Sequence, residues 1–514
     1  MRNKDSGRKK ITTIGIAVII IAFSSIITII FFSEQVKPPS KIADYYTSNV
    51  TAPPSYNYPP PIVGDLIIEN ETYIKDKTIV LNGDLLIMSN GNLTLDNTTL
   101  VMNCSENGQY KISVTAGGWL YLYNSNITAY DITTKLYEGD KATTKDDICG
   151  LRYKFEVYGN MRIDESEISY LWRSVSEYKV GDKSYLFVGD EAGLRIFSSN
   201  VDISNSIFSE SIGGKDIDCV SSSPIIRNCT LSGINCQDGA SPTIRNNSLQ
   251  LIRVSDSSPV IDRNRLMSIS CRYSLPIITN NTVSGFGGRG GGISLYHCGA
   301  TISHNTLVDC GGISCEFVLS KPYPRPHTVI PILINNCNLT SCDVGVYCWQ
   351  NLGHTILSNS MISNCTRYGL LCREEGGAAV ANTLFSHNKV AIGCWSTHQV
   401  TISNCTIIYS KEYDFWVGED SHPRVFDTSF DESKVYFQDE KSTIILPDRT
   451  LQYIPQIPSQ RDGSFAIPFN IAVTGGALAF VPISIFVILL IKRRKQRKGK
   501  QILDLGTKNI LVRG

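Results

Sequence analysis

"SPIIRNCTLSGINC" fills residues 223 to 236, and three variants follow it: "SPTIRNNSLQLI" (241 to 252), "SPVIDRNRLMSISC" (258 to 271) and "LPIITNNTVSGF" (275 to 286). The isoleucines Ile226, Ile244, Ile261 and Ile278 stand 18, 17 and 17 residues apart. A steady period of this size marks a stacked repeat, in which each unit buries its apolar face only against its neighbours. Within a unit, apolar and polar residues alternate, which is the period of a strand with one buried side.

The pattern continues in both directions. Downstream it loosens into "ATISHNTLVDCGGISC", "ILINNCNLTSCDVGVYC", "TILSNSMISNCTRYGLLC" and "AAVANTLFSHNKVAIGC". Upstream it appears as "GNLTLDNTTL" (91 to 100), "GWLYLYNSNI" (118 to 127), "GNMRIDESEI" (159 to 168) and "AGLRIFSSNV" (192 to 201). No stretch in between supplies a helical element, which disfavours leucine-rich and other helix-containing solenoids. A coil of parallel strands remains. Its turns superimpose, so one sequence position becomes a column: Asn suits a left-handed bend, Gly a tight turn, and Ile, Leu and Val the interior.

The coil occupies about 62–445 of a 514-residue chain with 42% hydrophobic residues and a formal charge of +1, a balance that gives no sign of a nucleic-acid partner. Two uncharged greasy runs flank it, 11–32 and 469–491, each long enough to cross roughly 30 Å of hydrocarbon. A cleaved signal peptide is the competing reading of the first, but the apolar region is too long for one and no small-x-small site follows it before Glu34. The basic tails 1–10 and 492–514 belong in the cytoplasm by the positive-inside rule, which places everything between the spans outside the cell membrane. Pro-rich stretches at 33–61 and 446–468 read as semi-rigid linkers.

Sixteen cysteines allow two readings. Cys315, Cys348, Cys372 and Cys394 share one repeat position, and Cys229, Cys337, Cys365 and Cys405 share another beside a turn Asn. Stacked neighbours would lie about 4.8 Å apart, so either they pack as small buried hydrophobes or some pair as disulfides. "CGGISC" and "CNLTSC" lack zinc-ribbon spacing and His304, His354 and His387 fall at turn-like positions, so neither a metal nor any other cofactor is expected. Sequons are abundant because an Asn column followed by Thr makes them by default. Asn49, Asn70, Asn92 and Asn97 are the candidate acceptors, with Asn49, on the linker, the best placed.

The "SPxIxxN" and "NxLxxCxxGIxC" units resemble right-handed parallel β-helix repeat proteins, a group with pectate-lyase-like architecture that includes pectin-degrading enzymes, phage tailspikes and many surface proteins of unassigned role. The resemblance implies an all-β, right-handed parallel β-helix solenoid, here flanked by one N-terminal and one C-terminal transmembrane helix. It does not imply an activity, since one scaffold hosts many sites. Pectin hydrolases of this architecture carry Asn-Thr-Asp, an Asp pair, Gly-His-Gly and Arg-Ile-Lys motifs. This chain offers only Asp146-Asp147 in a charged loop and "GHT" at 353 to 355. Against the lyase pattern of clustered carboxylates with an Arg base, the nearest match is Arg253, Asp256, Asp262, Arg263 and Arg272, which reads more simply as solvated charge pairs.

A binding surface is better supported. If the Cys of "GVYCWQN", "GLLCREE" and "AIGCWST" points inward, its neighbours point outward. Tyr347, Trp349, Arg373 and Trp395 then line up on three successive turns, with Glu316 one turn before. Sugar rings stack on such aromatics, and an Arg between them can pair with uronate or sulfate. The competing reading is that the insertion 317–330 covers the rings as part of the fold. The sequence thus points to a membrane-anchored protein that meets surface polysaccharide or envelope proteins. A polysaccharide lyase or glycoside hydrolase is the first alternative, and a structural envelope protein the second.

Overall fold

The alternating segments form strands because β-branched and large apolar residues at every second position set one pleated face against a dry core. The computed structural model describes residues 58–129, 152–180, 183–209, 215–285, 290–317, 331–351 and 355–453. The chain divides into two units, Met1–Asn57 and Tyr58–Gly514, and every described residue belongs to the second. Each turn lays down strands for three sheets. Sheet I has sixteen parallel strands, from Leu66–Ile68 to Val435–Phe437. Sheet II has seventeen, from Glu71–Lys75 to Thr450–Gln452. Sheet III comes in runs of six and seven strands, joined by single-residue bridges at Thr230 and Ser248.

The register sets like over like. Ile226, Ile244, Ile261 and Ile278 lie directly opposite one another, and the same column continues through Ile302, Ile334, Leu357, Val380 and Ile402. All of them are buried. The chain leaves sheet II through a residue with positive φ on turn after turn: Asn97 (47°), Asn228 (56°), Asn246 (54°), Asn280 (56°), Asn382 (50°) and Asn404 (50°). The residue after it faces inward. Asn247, Asn264, Asn281 and Asn305 form a buried ladder there, each Nδ2 donating to the next Oδ1 at 3.0 Å.

The fifteen described cysteines are all buried and unbridged. Cys315, Cys348, Cys372 and Cys394 are in register on sheet I and face the core. The second expected column divides. Cys229, Cys337 and Cys405 follow the turn out of sheet II, whereas Cys365 follows Asn364 at the turn from sheet III to sheet I. Its neighbours there are Cys342 and Cys310, whose sulfurs lie 3.9 Å apart.

Two features go beyond a simple parallel coil. Arg173–Val180 and Lys183–Ala192 pair as an antiparallel hairpin. At the C-terminal end the body runs past residue 445, because Thr450–Gln452 pairs antiparallel with Thr443–Ile445 and buries Leu451. This reversed strand covers the last rung, as a solenoid end requires. No helix among the described residues is long and apolar enough to cross a membrane. The runs 11–32 and 469–491, both basic tails and Asn49 lie outside the described residues.

Candidate functional site

Sheet I presents its outward side chains in columns. One column reads Glu316, Trp349, Arg373, Trp395 and Gly418 on five successive strands. Tyr347 stands in the column beside it, followed by Leu371, Gly393, Trp416 and Tyr436. A third holds Val344, Tyr368, Val390 and Tyr413. The structure therefore brings the five sequence-selected residues onto one face and adds Tyr368, Leu371, Tyr413, Trp416 and Tyr436 to them.

These side chains form a second apolar cluster outside the coil. Val344, Tyr368, Leu371 and Val390 are buried in it, and Tyr347, Trp395, Tyr413 and Trp416 pack against them with part of their surface in water. The rings meet mainly edge to face: Tyr368–Trp395 at 5.8 Å, Trp395–Trp416 at 5.8 Å, Tyr413–Trp416 at 5.7 Å and Trp416–Tyr436 at 5.3 Å. That is the arrangement ring quadrupoles favour. Gly393 makes it possible, because a Cβ there would come within 2.9 Å of the Tyr368 ring and of Leu371 Cδ1. Burial pushes the Tyr347 and Tyr368 phenols above their usual range.

The polar groups at the rim hold the two outer rings. Arg373 lies over the Trp395 ring with its guanidinium carbon 4.8 Å from the centroid, and one of its nitrogens is 3.9 Å from Glu374. Glu374 accepts hydrogen bonds from Trp349 Nε1 (2.8 Å) and Gln350 Nε2 (3.2 Å). Arg373 Nε, Trp395 Nε1 and Trp416 Nε1 are shut off from solvent and have no acceptor among the described residues. Whether 318–330 bears on this face lies outside the described residues.

The charged candidates do not converge. Arg253 and Arg272 belong to sheet I, where Arg272 lies 5.4 Å over the Tyr296 ring. Asp262 is on sheet II, paired with Arg245 and Arg263 at 3.2 Å each and accepting from Thr279 and Asn280. Asp256 sits in the left-handed turn leaving sheet I. A charged row the sequence reading passes over lies further toward the N-terminus. Glu156, Arg195 and Asp218 are in register on sheet I, with Arg195 3.7 Å from Glu156 and 3.6 Å from Asp218. Asp218 is 1% exposed although it faces outward, and burial raises its carboxyl pKa against the opposing hydrogen bond from Asn235 and the pull of Arg195. An outward Asp in an alternating strand gives no hint of burial. The strand Lys183–Ala192, which approaches Ile217–Val220 from the hairpin, is the element that sequence alternation does not anticipate.

Of the sequon residues, Asn97 is exposed in its left-handed turn and donates to Asp76 at 2.7 Å. Asn70 is exposed, whereas Asn92 is half-buried with its Oδ1 shut off from solvent. No group of three or more His, Cys, Asp or Glu among the described residues is placed to hold a metal ion.

A family profile described as "Right handed beta helix region" matches residues 327–448. With the strand order above, the body is a right-handed parallel β-helix. No curated protein matches the chain. Among solved structures the chain is similar to the family 28 exopolygalacturonase of Yersinia enterocolitica, at 10% identity and a TM-score of 0.28 over 73% of this chain and 72% of that one. A periplasmic alginate epimerase gives 12% and 0.25 over 72% and 77%. The receptor-binding domain of the siphovirus 9NA tailspike gives 11% and 0.24 over 79% and 75%.

Proposed function

We propose that this protein is a membrane-anchored, extracytoplasmic β-helix that binds glycan, or another surface polymer, on the outward face of sheet I between Glu316 and Tyr436. One observation carries the reading: the register sets Trp349, Arg373 and Trp395 on consecutive rungs, with Trp416 beside them. Grouped aromatic surface that keeps contact with water is a feature soluble faces normally avoid unless something binds there. The rings supply stacking area, Arg373 supplies a cation for a uronate or sulfate, and Glu316 and Glu374 supply acceptors for hydroxyls.

Affinity electrophoresis of the full chain through gels containing acidic or neutral polysaccharide tests this directly. Trp349→Ala with Trp395→Ala is expected to weaken retardation roughly 10-fold or more, on the scale of two lost stacking contacts, while the circular dichroism stays that of β-structure. Equal retardation of variant and parent would remove the site.

The anchoring rests on the runs 11–32 and 469–491 and their flanking basic clusters. On intact cells, a membrane-impermeant amine reagent is expected to label lysines of the body and spare Lys492, Lys495, Lys498 and Lys500. Labelling of those four would reverse the topology.

A further inference from the structure

A second aromatic array lies on another face, near the N-terminal end. The first four strands of sheet II, Glu71–Lys75, Asn92–Asp96, Trp119–Tyr123 and Asn160–Asp164, pair in register. Each turns its first, third and fifth side chains outward, which makes a grid of four by three. The third strand fills its three outward places with Trp119, Tyr121 and Tyr123. Their ring planes are nearly parallel, 8° and 6° apart, with centroids 5.4 and 6.3 Å apart. Each ring keeps part of its surface in water.

Such a row is poorly explained by sheet stability. Aromatic residues that hold a sheet together do so across strands, where they fix the register. These three rings lie along a single strand, and the grid neighbours on the adjoining strands, Asn92, Thr94 and Asp96 on one side and Asn160, Arg162 and Asp164 on the other, carry no ring. Tyr73, two strands away, is 60% exposed.

The charges around the rings indicate what would lie on them. The grid holds three carboxylates, Glu71, Asp96 and Asp164, and two cations, Lys75 and Arg162. Lys75 is paired with Asp96 at 3.0 Å, and Asp164 accepts from Ser204 at 2.8 Å and Asn205 at 2.7 Å. Arg162 lies 5.9 Å over the Tyr123 ring and makes no ion pair among the described residues, so its N–H groups are available to hydroxyl acceptors. With a net charge near −1 the grid offers no cluster of cations to hold a polyanion such as a polyuronate or a nucleic acid. It suits an uncharged polymer that packs on the surface the stacked rings leave in water and whose hydroxyls meet Arg162.

We infer that the Trp119–Tyr121–Tyr123 row is a second polymer site, specific for neutral glycan. It stands on its own observations and is separate from the sheet I face. The test runs the full chain through native gels containing hydroxyethylcellulose, galactomannan or dextran, with polygalacturonate in parallel. Trp119→Ala with Tyr121→Ala is expected to cut retardation on at least one neutral polymer roughly 10-fold and to leave migration in polygalacturonate unchanged. Trp119→Phe with Tyr121→Phe, which keeps an aromatic ring at both positions, restores most of the retardation and so separates lost contact from misfolding. Failure of all three neutral polymers to retard the parent would overturn the proposal. So would equal retardation of parent and Ala variant, or neutral binding that disappears only with Trp349→Ala and Trp395→Ala. The last result would leave the sheet I face standing alone.

Discussion

At Asn280 the backbone is left-handed and the side chain faces water; at Asn281, one residue on, the amide is buried and bonded on both sides. The doublet divides two tasks that the sequence shows only as "NN". The first position needs a residue that tolerates positive φ, a role Asn fills and His304 or Arg263 also takes. The second takes a side chain that hydrogen-bonds inside the core: an amide on the four ladder rungs, a thiol at Cys229, Cys337 and Cys405 and a hydroxyl at Ser360. Asn264 illustrates the second: its Nδ2 donates to Ile244 O and Asn281 Oδ1, and its Oδ1 receives both Asn247 N–H groups. Asn264→Leu keeps the branched shape but orphans several of these groups. It is expected to cost about 3 kcal/mol in denaturant unfolding, at roughly 1–3 kcal/mol per stranded group. Asn280→Ala, which leaves the ladder intact but strains the turn and removes the exposed hydrogen bond to Asp262, is expected to cost about 1 kcal/mol. An equal effect at the two positions would contradict the division. The cysteines belong to this scale too. Burial lifts the thiols of Cys229 and Cys298 to about 11 and those of Cys365 and Cys394 to about 12, so they behave as small apolar side chains and not as nucleophiles.

Individual strands show where sequence reasoning succeeds and where it stops. Glu316, Trp349, Arg373 and Trp395 are legible as one outward column because each sits directly after a core Cys, and alternation does the rest. Tyr368 is not. Its strand breaks alternation at Gly369, as its neighbour does at Gly345: a Cβ on Gly345 would run into Ile362 and Cys365 inside the coil, yet the following Val346 is buried in the core as well. Two consecutive inward residues reverse the parity of everything before them and turn Val344 and Tyr368 outward into the aromatic cluster. Cys365 escapes its proper column for a different reason. Both the turn out of sheet II and the turn into sheet I are written Asn-Cys-Thr, at Asn404 and at Asn364, and only register separates them. Trp416 is recoverable in principle, since it lies one rung beyond Gly393 in the same column. The Cys that marks that rung elsewhere is Val417 here, so the pattern loses its flag.

On the scale of the whole molecule, the fold amounts to one register repeated along the body, with a reversed strand closing the C-terminal end and two aromatic surfaces on separate sheets. The sheet I face exists only because residues some 20 positions apart in sequence become neighbours about 4.8 Å apart in space. Ile277 and Arg424 are exposed residues of one outward column of sheet II, joined through Thr301, Leu333, Ile356, Ala379 and Thr401. Six rung spacings put their Cα atoms about 29 Å apart. Because the fifteen described native thiols are buried, spin labels attached through Ile277→Cys and Arg424→Cys in a Cys149→Ser background report on the introduced pair. The measurement that decides the account is double electron–electron resonance on that variant. A narrow distance distribution centred near 30 Å is the predicted result, and a broad distribution or a mean beyond about 45 Å would show that these rungs do not stack and that the sheet I aromatic face is not assembled.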